Sequence, residues 1–365
     1  MIFYLSRNNL IKVLYKLIAK PFFFLCDPET IHDQITILGN LLGKYNITKK
    51  LTALFFNYSN PILQQNIAGI NFKNPIGLAA GFDKNAELTE ILPKVGFGFM
   101  EVGSITGEAC EGNPKPRLWR LIKENSLIVN YGLKNQGAEI LSKKLSKMKF
   151  EFPIGVSIAK TNCLNTANTK DGIKDYLKAY NLCKNFGDYI TINISCPNAY
   201  GGQPFTDPAK LELLLNEIST NQNSKPIFLK LSPDMNFDNL DQIIEICDNY
   251  KIAGFICNNL TKKNKLQGGQ SGKPLKEISL NFIRYIYQKT DGKYIIIGCG
   301  GVFSGQDAYD KIKAGASLIQ LITGMIFEGP QLISQINIEL SKLLMKDGFQ
   351  NISQAIGADL KKITN

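Results

Sequence analysis

Residues 189–198 read YITINISCPN. The first half alternates β-branched and polar side chains (Ile190, Thr191, Ile192, Asn193, Ile194), and this period of two predicts a buried strand. The strand has to stop by Pro197, which has no N–H to offer a ladder. At that stop stand Cys196, an ionisable thiol, and Asn193 and Asn198, amides that both donate and accept hydrogen bonds. Alone, the segment describes a strand, a turn and a small buried thiol as well as it describes a reactive site. The rest of the chain decides.

Seven more apolar runs of the same kind surround it: PIGLAAG (75–81), FGFMEVGSI (97–105), PIGVSIA (153–159), PIFLKLSP (226–233), GFICNNLT (254–261), YIIIGCGG (294–301) and LIQLITG (318–324). Each ends in glycine or polar residues, and helical patterns at 175–185, 209–219, 240–249 and 305–314 lie between them. Strands alternating with helices imply parallel βα units, and eight units imply a closed (β/α)8 barrel of the TIM type. Active sites of such barrels gather at the C-terminal strand ends. Here those ends carry Lys84, Ser104, Asn193, Cys196, Asn198, Lys230, Asn259, Gly300, Gly301, Thr323 and Gly324.

The last two ends, Gly298–Gly301 and Thr323–Gly324, leave backbone N–H groups open to an anion, as the phosphate site of a barrel requires. GCGG lacks the spacing of a dinucleotide fingerprint and comes seventh rather than first, so a Rossmann reading is set aside. Lys230 lies inside a strand, where an unpaired ammonium is costly, and is expected to face an anion in the barrel mouth. Lys84 suits a substrate carboxylate, with a salt bridge to Asp83 or Glu87 as the competing expectation.

Composition narrows the class. The chain has 365 residues, 44% hydrophobic and 20% charged, which is ordinary globular usage and enough for a large core. A formal charge of +11 favours anionic partners, but the lysines are scattered and no basic block alternates with stacking aromatics, which argues against nucleic acid. Eight cysteines without a CxxC pair, and one histidine, offer no metal cradle and point to a reducing compartment.

Residues 1–45 differ from the remainder, 46–365, which holds the barrel. Phe, Leu and Ile alternate there with Lys12, Lys16 and Lys20 at helical spacing. The charges interrupt any apolar run of about 18 residues and no small-residue cleavage site follows, so neither a spanning helix nor a signal peptide fits. An amphipathic helix lying on a membrane surface, or a lid packed on the barrel, is expected, broken at Pro21. A second helix, capped by Asp27-Pro28-Glu29, would carry His32.

Taken together, AAGFDKN (79–85), GFGFMEVGSIT (96–106), NPKPRLWRL (113–121), YGLKNQG (131–137), NISCPN (193–198), KLSPD (230–234), GGQSGKPL (268–275), IIGCGGV (296–302) and AGASLIQLITG (314–324) resemble the dihydroorotate dehydrogenase family over about residues 27–335. The resemblance implies an FMN-bound (β/α)8 barrel that oxidises (S)-dihydroorotate to orotate in pyrimidine (UMP) synthesis. The N-terminal helices and the PKPRLWRL segment look like the branch that is peripheral on the cytoplasmic side of the cell membrane and passes electrons to ubiquinone or menaquinone. By motif, Ala80, Gly81, Ser104, Asn193, Lys230, Gly272, Gly300, Gly301, Thr323 and Gly324 would hold FMN. Lys84, Asn130, Asn198 and Asn259 would hold the substrate, with Asn130 carried over by a shift of one residue. Cys196 would be the catalytic base, and His32 and Arg120 would face the quinone beside Phe22, Phe23, Phe24 and Leu25.

Cys196 is the base of the soluble branch, where fumarate or NAD is the acceptor, whereas the quinone branch resembles a pattern with Ser. Ile322 likewise stands where the quinone branch often has Tyr. From the residues alone, a barrel that binds a phosphorylated metabolite without redox chemistry, with Lys230 as a Schiff-base lysine, remains the alternative from another class.

Overall fold

The computed structural model describes residues 2–264 and 266–360. Eight parallel strands close into a barrel: β1 (Ile76–Leu78), β2 (Phe99–Ile105), β3 (Ile154–Ile158), β4 (Tyr189–Asn193), β5 (Ile227–Lys230), β6 (Ile252–Cys257), β7 (Ile295–Cys299) and β8 (Leu318–Leu321). Each falls on one of the eight apolar runs, which are apolar throughout because a barrel strand is buried on both faces. The ring closes where β8 pairs with β1, Ile319 opposite Ile76.

Period-two alternation sorts the barrel interior into layers. Phe99, Tyr189, Phe228, Ile297 and Leu318 fill the lower end. A hairpin, Gln65–Ile67 with Ile70–Phe72, covers it, and Phe72 meets Phe99 edge-on at 5.4 Å. Gly77 makes room for that plug, since a Cβ there would fall 2.4 Å from the Phe99 ring. Two residues further up, the Thr191 hydroxyl donates to buried Glu101. Two further still, Asn193 and Lys230 stand side by side in register at the ends of β4 and β5. One strand parity therefore leads from a greasy plug to a polar site.

Outside, helices Thr169–Cys183, Pro208–Ser219, Phe237–Asp248 and Gly305–Lys313 cover the strands where helical patterns were expected. The first begins earlier than residue 175 because the Asn168 side chain caps it, accepting the Asp171 N–H. Over the barrel mouth lies an antiparallel sheet of Leu118–Leu121, Ser126–Val129 and Gly269–Gln270.

The N-terminal extension is helical at Ile2–Leu14, Lys20–Leu25, Pro28–Lys44 and Asn46–Phe56, and so continues past residue 45. Buried Arg7 ties it down, donating to the carbonyls of Leu54 and Asn57 and to the Ser334 hydroxyl at 2.7 Å. Asp27 caps the third helix through the Thr30 N–H, as expected. One other expectation is corrected.

The helix does not break at Pro21. A wide π turn over Tyr15–Ala19, with the Lys20 N–H on the Tyr15 carbonyl, places Pro21 at the start of a new helical segment where its missing N–H is not needed.

The lysine stripe has partners on the barrel, although Lys16 stays exposed. Lys12 and Lys16 pair with Glu328 at 3.4 and 2.7 Å, and the Lys20 ammonium lies 5.1 Å from the Phe327 ring. A partner acid on the barrel outcompetes solvent for this basic stripe. The extension also shows many apolar side chains to solvent: Leu10, Leu17, Ile18, Phe22 and Leu25 along the first helix, the π turn and the second helix, and Ile37, Ile47, Leu51 and Leu54 on the next two helices. Among the described residues, no helix is long and apolar enough to cross a membrane.

Candidate active site

The C-terminal ends of the strands and the sheet above them enclose a cleft with an empty volume of about 1290 Å³, including its open mouth. All ten residues expected to hold the cofactor line it: Ala80, Gly81, Ser104, Asn193, Lys230, Gly272, Gly300, Gly301, Thr323 and Gly324.

Their geometry fits a flavin nucleotide. Gly301 has φ +71°, and a Cβ there would lie 2.4 Å from the Lys276 Cα; Gly272, at φ +86°, would collide with the Asn125 carbonyl. Neither position admits a side chain, so backbone N–H groups can approach a phosphate closely. The Thr323 hydroxyl is held against that of Ser271 at 2.8 Å. On the opposite side, the Asn193 amide donates to Ser104 Oγ, which also bonds Ser157 Oγ, both at 2.8 Å. Lys230 is 3% exposed and lines the cleft. A buried cation opening onto the cavity calls for an electron-rich ring or an anion there.

Cys196 sits at the side of the cleft. Burial pushes its thiol up from the ordinary range, while the Asn198 backbone N–H and the ammonium groups of Lys160 and Lys262 pull it back. Asn198 donates through its amide to the Val129 carbonyl at 2.7 Å, leaving buried Oδ1 without a partner among the described residues. Lys84 also lines the cleft, its ammonium 4.1 Å from the centre of the Tyr131 ring. The salt bridge weighed for it does not form: the Asp83 carboxylate accepts the backbone N–H groups of Glu87 and Leu88 instead. Burial, followed by nearby Lys134, brings Lys84 down to about 8.

The remaining expected residues divide. Asn259 lines the cleft, but its amide donates to the Ser195 carbonyl and hydroxyl at 3.0 and 3.1 Å, bracing the turn before Cys196. The free amide belongs to its neighbour: Asn258 is buried, lines the cleft, and has no partner for either side-chain atom among the described residues. Asn258 stands outside the expected set, although the Asn-Asn pair at the end of β6 was legible in the sequence. Asn130 is not brought into the cleft wall; its Oδ1 accepts from Asn113 at 3.0 Å, and Val129, the last residue of the strand, lines the cleft instead.

His32 does reach the cleft. Its Nε2 donates to the Phe82 carbonyl at 2.9 Å, and burial together with Lys84 holds the imidazole down at about 4, hence neutral. Arg120 does not reach it. The guanidinium donates to the Cys26 carbonyl at 2.8 Å and stacks 4.7 Å from the Phe24 ring, so it anchors the extension. Of the four residues expected to line the mouth with it, none is in the cleft wall; Phe22 and Leu25 face solvent and Phe24 packs edge-on against Phe327.

Comparison with known proteins agrees with this geometry. A family profile described as dihydroorotate dehydrogenase matches residues 62–344. A dihydroorotate dehydrogenase (quinone) of Gloeobacter violaceus is 38% identical over 94% of this chain and 98% of its own, and one of Natronomonas pharaonis is 36% identical over 95% and 99%. The crystal structure of a DHODH from Eimeria tenella in complex with ferulenol superposes with a TM-score of 0.82 at 30% identity, covering 92% of this chain and 96% of the other.

Proposed function

We infer the chemistry from one premise: the chain belongs to the dihydroorotate dehydrogenase family. It is a flavin oxidoreductase that oxidises dihydroorotate to orotate in pyrimidine biosynthesis and delivers the electrons to a quinone. The flavin is read as FMN, on the strength of the side-chain-free cradle at Gly272 and Gly301 and the buried cation of Lys230. The chemistry such a flavin would supply is acceptance of a hydride from C6 of the substrate.

This chain's own residues do the rest. Lys84 holds the substrate carboxylate, and Asn198 Oδ1 and both polar atoms of Asn258 take the ring amide groups. Cys196 Sγ, as thiolate, accepts the C5 proton. Asn259 keeps the Ser195 turn, and hence Cys196, in place. The carrying observation is the group of side chains in the cleft wall, the Lys84 ammonium with the unpaired amide atoms of Asn198 and Asn258, which complements a small ring bearing a carboxylate and two amides. His32 is the extension's contribution on the quinone side, ubiquinone or menaquinone being the partner. The apolar face of the extension rests on the cytoplasmic side of the membrane as a peripheral contact.

The test is an acceptor panel. Purified protein should be yellow, and with dihydroorotate as donor it should reduce ubiquinone and menaquinone analogues far faster than fumarate or NAD. Efficient fumarate or NAD reduction with no quinone turnover would overturn the acceptor; colourless protein with no dihydroorotate oxidation would overturn the reaction.

A further inference from the structure

Beside Cys196 lies a second, narrow recess, with room for little more than a water molecule, whose wall includes Lys160, Tyr176, Cys196, Gln203 and Phe205. Cys196 lines both spaces and so forms part of the partition between them. Lys160 follows the end of β3 and is 3% exposed. Among the described residues its ammonium has one hydrogen bond, to the Tyr200 carbonyl at 2.6 Å, in the loop that Cys196 opens. The acid whose charge bears on it, Asp175, is already engaged by the Thr161 N–H and hydroxyl at 2.6 and 2.8 Å and by the Gly107 N–H. A buried ammonium with no carboxylate of its own is costly unless an anion forms beside it.

We propose that Lys160 is a positioning residue for proton removal: from the narrow recess its charge stabilises the Cys196 thiolate and so sets the pH at which the base works. This rests on reading Cys196 as the base. When Sγ takes the C5 proton it becomes a neutral thiol, and Lys160 keeps its own proton throughout. The other titratable groups facing Cys196 are Lys262 from beyond β6, Cys110 from beyond β2, and Tyr176 on helix Thr169–Cys183; Asp175 on that helix and Cys163 face Lys160. Of the two lysines, Lys160 alone is buried and shares the recess wall with the thiol.

The experiment is alkylation of the holoenzyme with iodoacetamide, read at the Cys196 peptide by mass spectrometry across a pH series, beside the pH profile of flavin reduction by dihydroorotate. Lys160→Gln should raise the midpoint of Cys196 alkylation by about one unit, a roughly tenfold slower reaction on the rising limb, and move the flavin-reduction limb with it. Lys160→Arg should restore both, and Lys160→Met, matched in length, replaces Gln if that variant yields no holoenzyme. An unchanged alkylation profile in the uncharged variant overturns the proposal. So does equal loss of holoenzyme in all three variants, Arg included, which would make Lys160 a strut for the loop. If Cys196→Ala reduced flavin normally, the base reading would fall while the alkylation result stood on its own.

Discussion

Glu29 and Arg117, 88 residues apart in the chain, form a two-pronged buried ion pair, with Arg117 Nε and Nη2 donating to the two carboxylate oxygens at 3.0 and 2.8 Å. It fastens the helix that carries His32 to the segment leading into the mouth sheet, and Lys115 and Lys134 stand 3.5 and 3.4 Å from the same carboxylate. Burial alone would raise the Glu29 carboxyl, but Arg117 and the two lysines outweigh it and hold it at about 2. A carboxyl depressed on folding stabilises above its unfolded pKa, and that stabilisation is lost as pH falls toward the folded value. Wild-type stability should therefore fall between about pH 5 and 2 more steeply than that of Glu29→Gln. At neutral pH Glu29→Gln should cost ~3–5 kcal/mol by stranding Arg117, read as a lower melting temperature and faster proteolysis of the extension.

For Cys196→Ala, the expected result is retained flavin and near-normal substrate binding, with flavin reduction by dihydroorotate slower by at least about 10²-fold in anaerobic stopped flow. Because burial raises the thiol, the wild-type rate should still be climbing above neutral pH. A flat profile through the alkaline range would contradict a thiolate base.

Asn258 and Asn259 should separate cleanly. Asn258→Ala removes an amide that faces only the cleft, so KM for dihydroorotate should rise by roughly 10–100-fold, equivalent to about 1–3 kcal/mol, with little change in melting temperature. Asn259→Ala loosens the Ser195 turn and should fall mainly on kcat. Steady-state kinetics showing the reverse split would return the substrate contact to Asn259.

Lys84 predicts an opposing pH limb. With its ammonium brought down to about 8 by burial and Lys134, it neutralises as pH rises through that value and the carboxylate loses its partner. KM should climb above about pH 8 while kcat continues upward, and Lys84→Met should show the raised KM at every pH.

The extension gives a fourth contrast. Leu17→Glu with Leu25→Glu changes two residues that are 73% and 88% exposed and should abolish co-sedimentation with lipid vesicles. Dihydroorotate-driven reduction of the flavin should be unaffected. Lys16→Ala should instead weaken the docking of the extension, through lost contact with Glu328, rather than its lipid affinity.

By itself the sequence determined the barrel and most of its mouth. Parallel strands buried on both faces have to be apolar throughout, and a strand's C-terminal end is a sequence position as well as a place in space. Residues such as Ser104, Asn193, Cys196, Lys230 and Gly301 could therefore be put in the site without coordinates. Tertiary structure alone decided the rest, wherever direction or partner depended on distant chain. Past the end of β6 the alternation of the ladder no longer applies, so only the fold shows that Asn258 opens on the cleft while Asn259 braces Ser195. Pairing of 118–129 with 269–270, across more than a hundred residues, put Val129 rather than Asn130 in the wall. The lysine stripe at 12, 16 and 20 is equally periodic whether it meets lipid or protein. Glu328, brought beside it by the helix after β8, gives Lys12 and Lys16 a partner on the barrel, while leucines of the extension face outward.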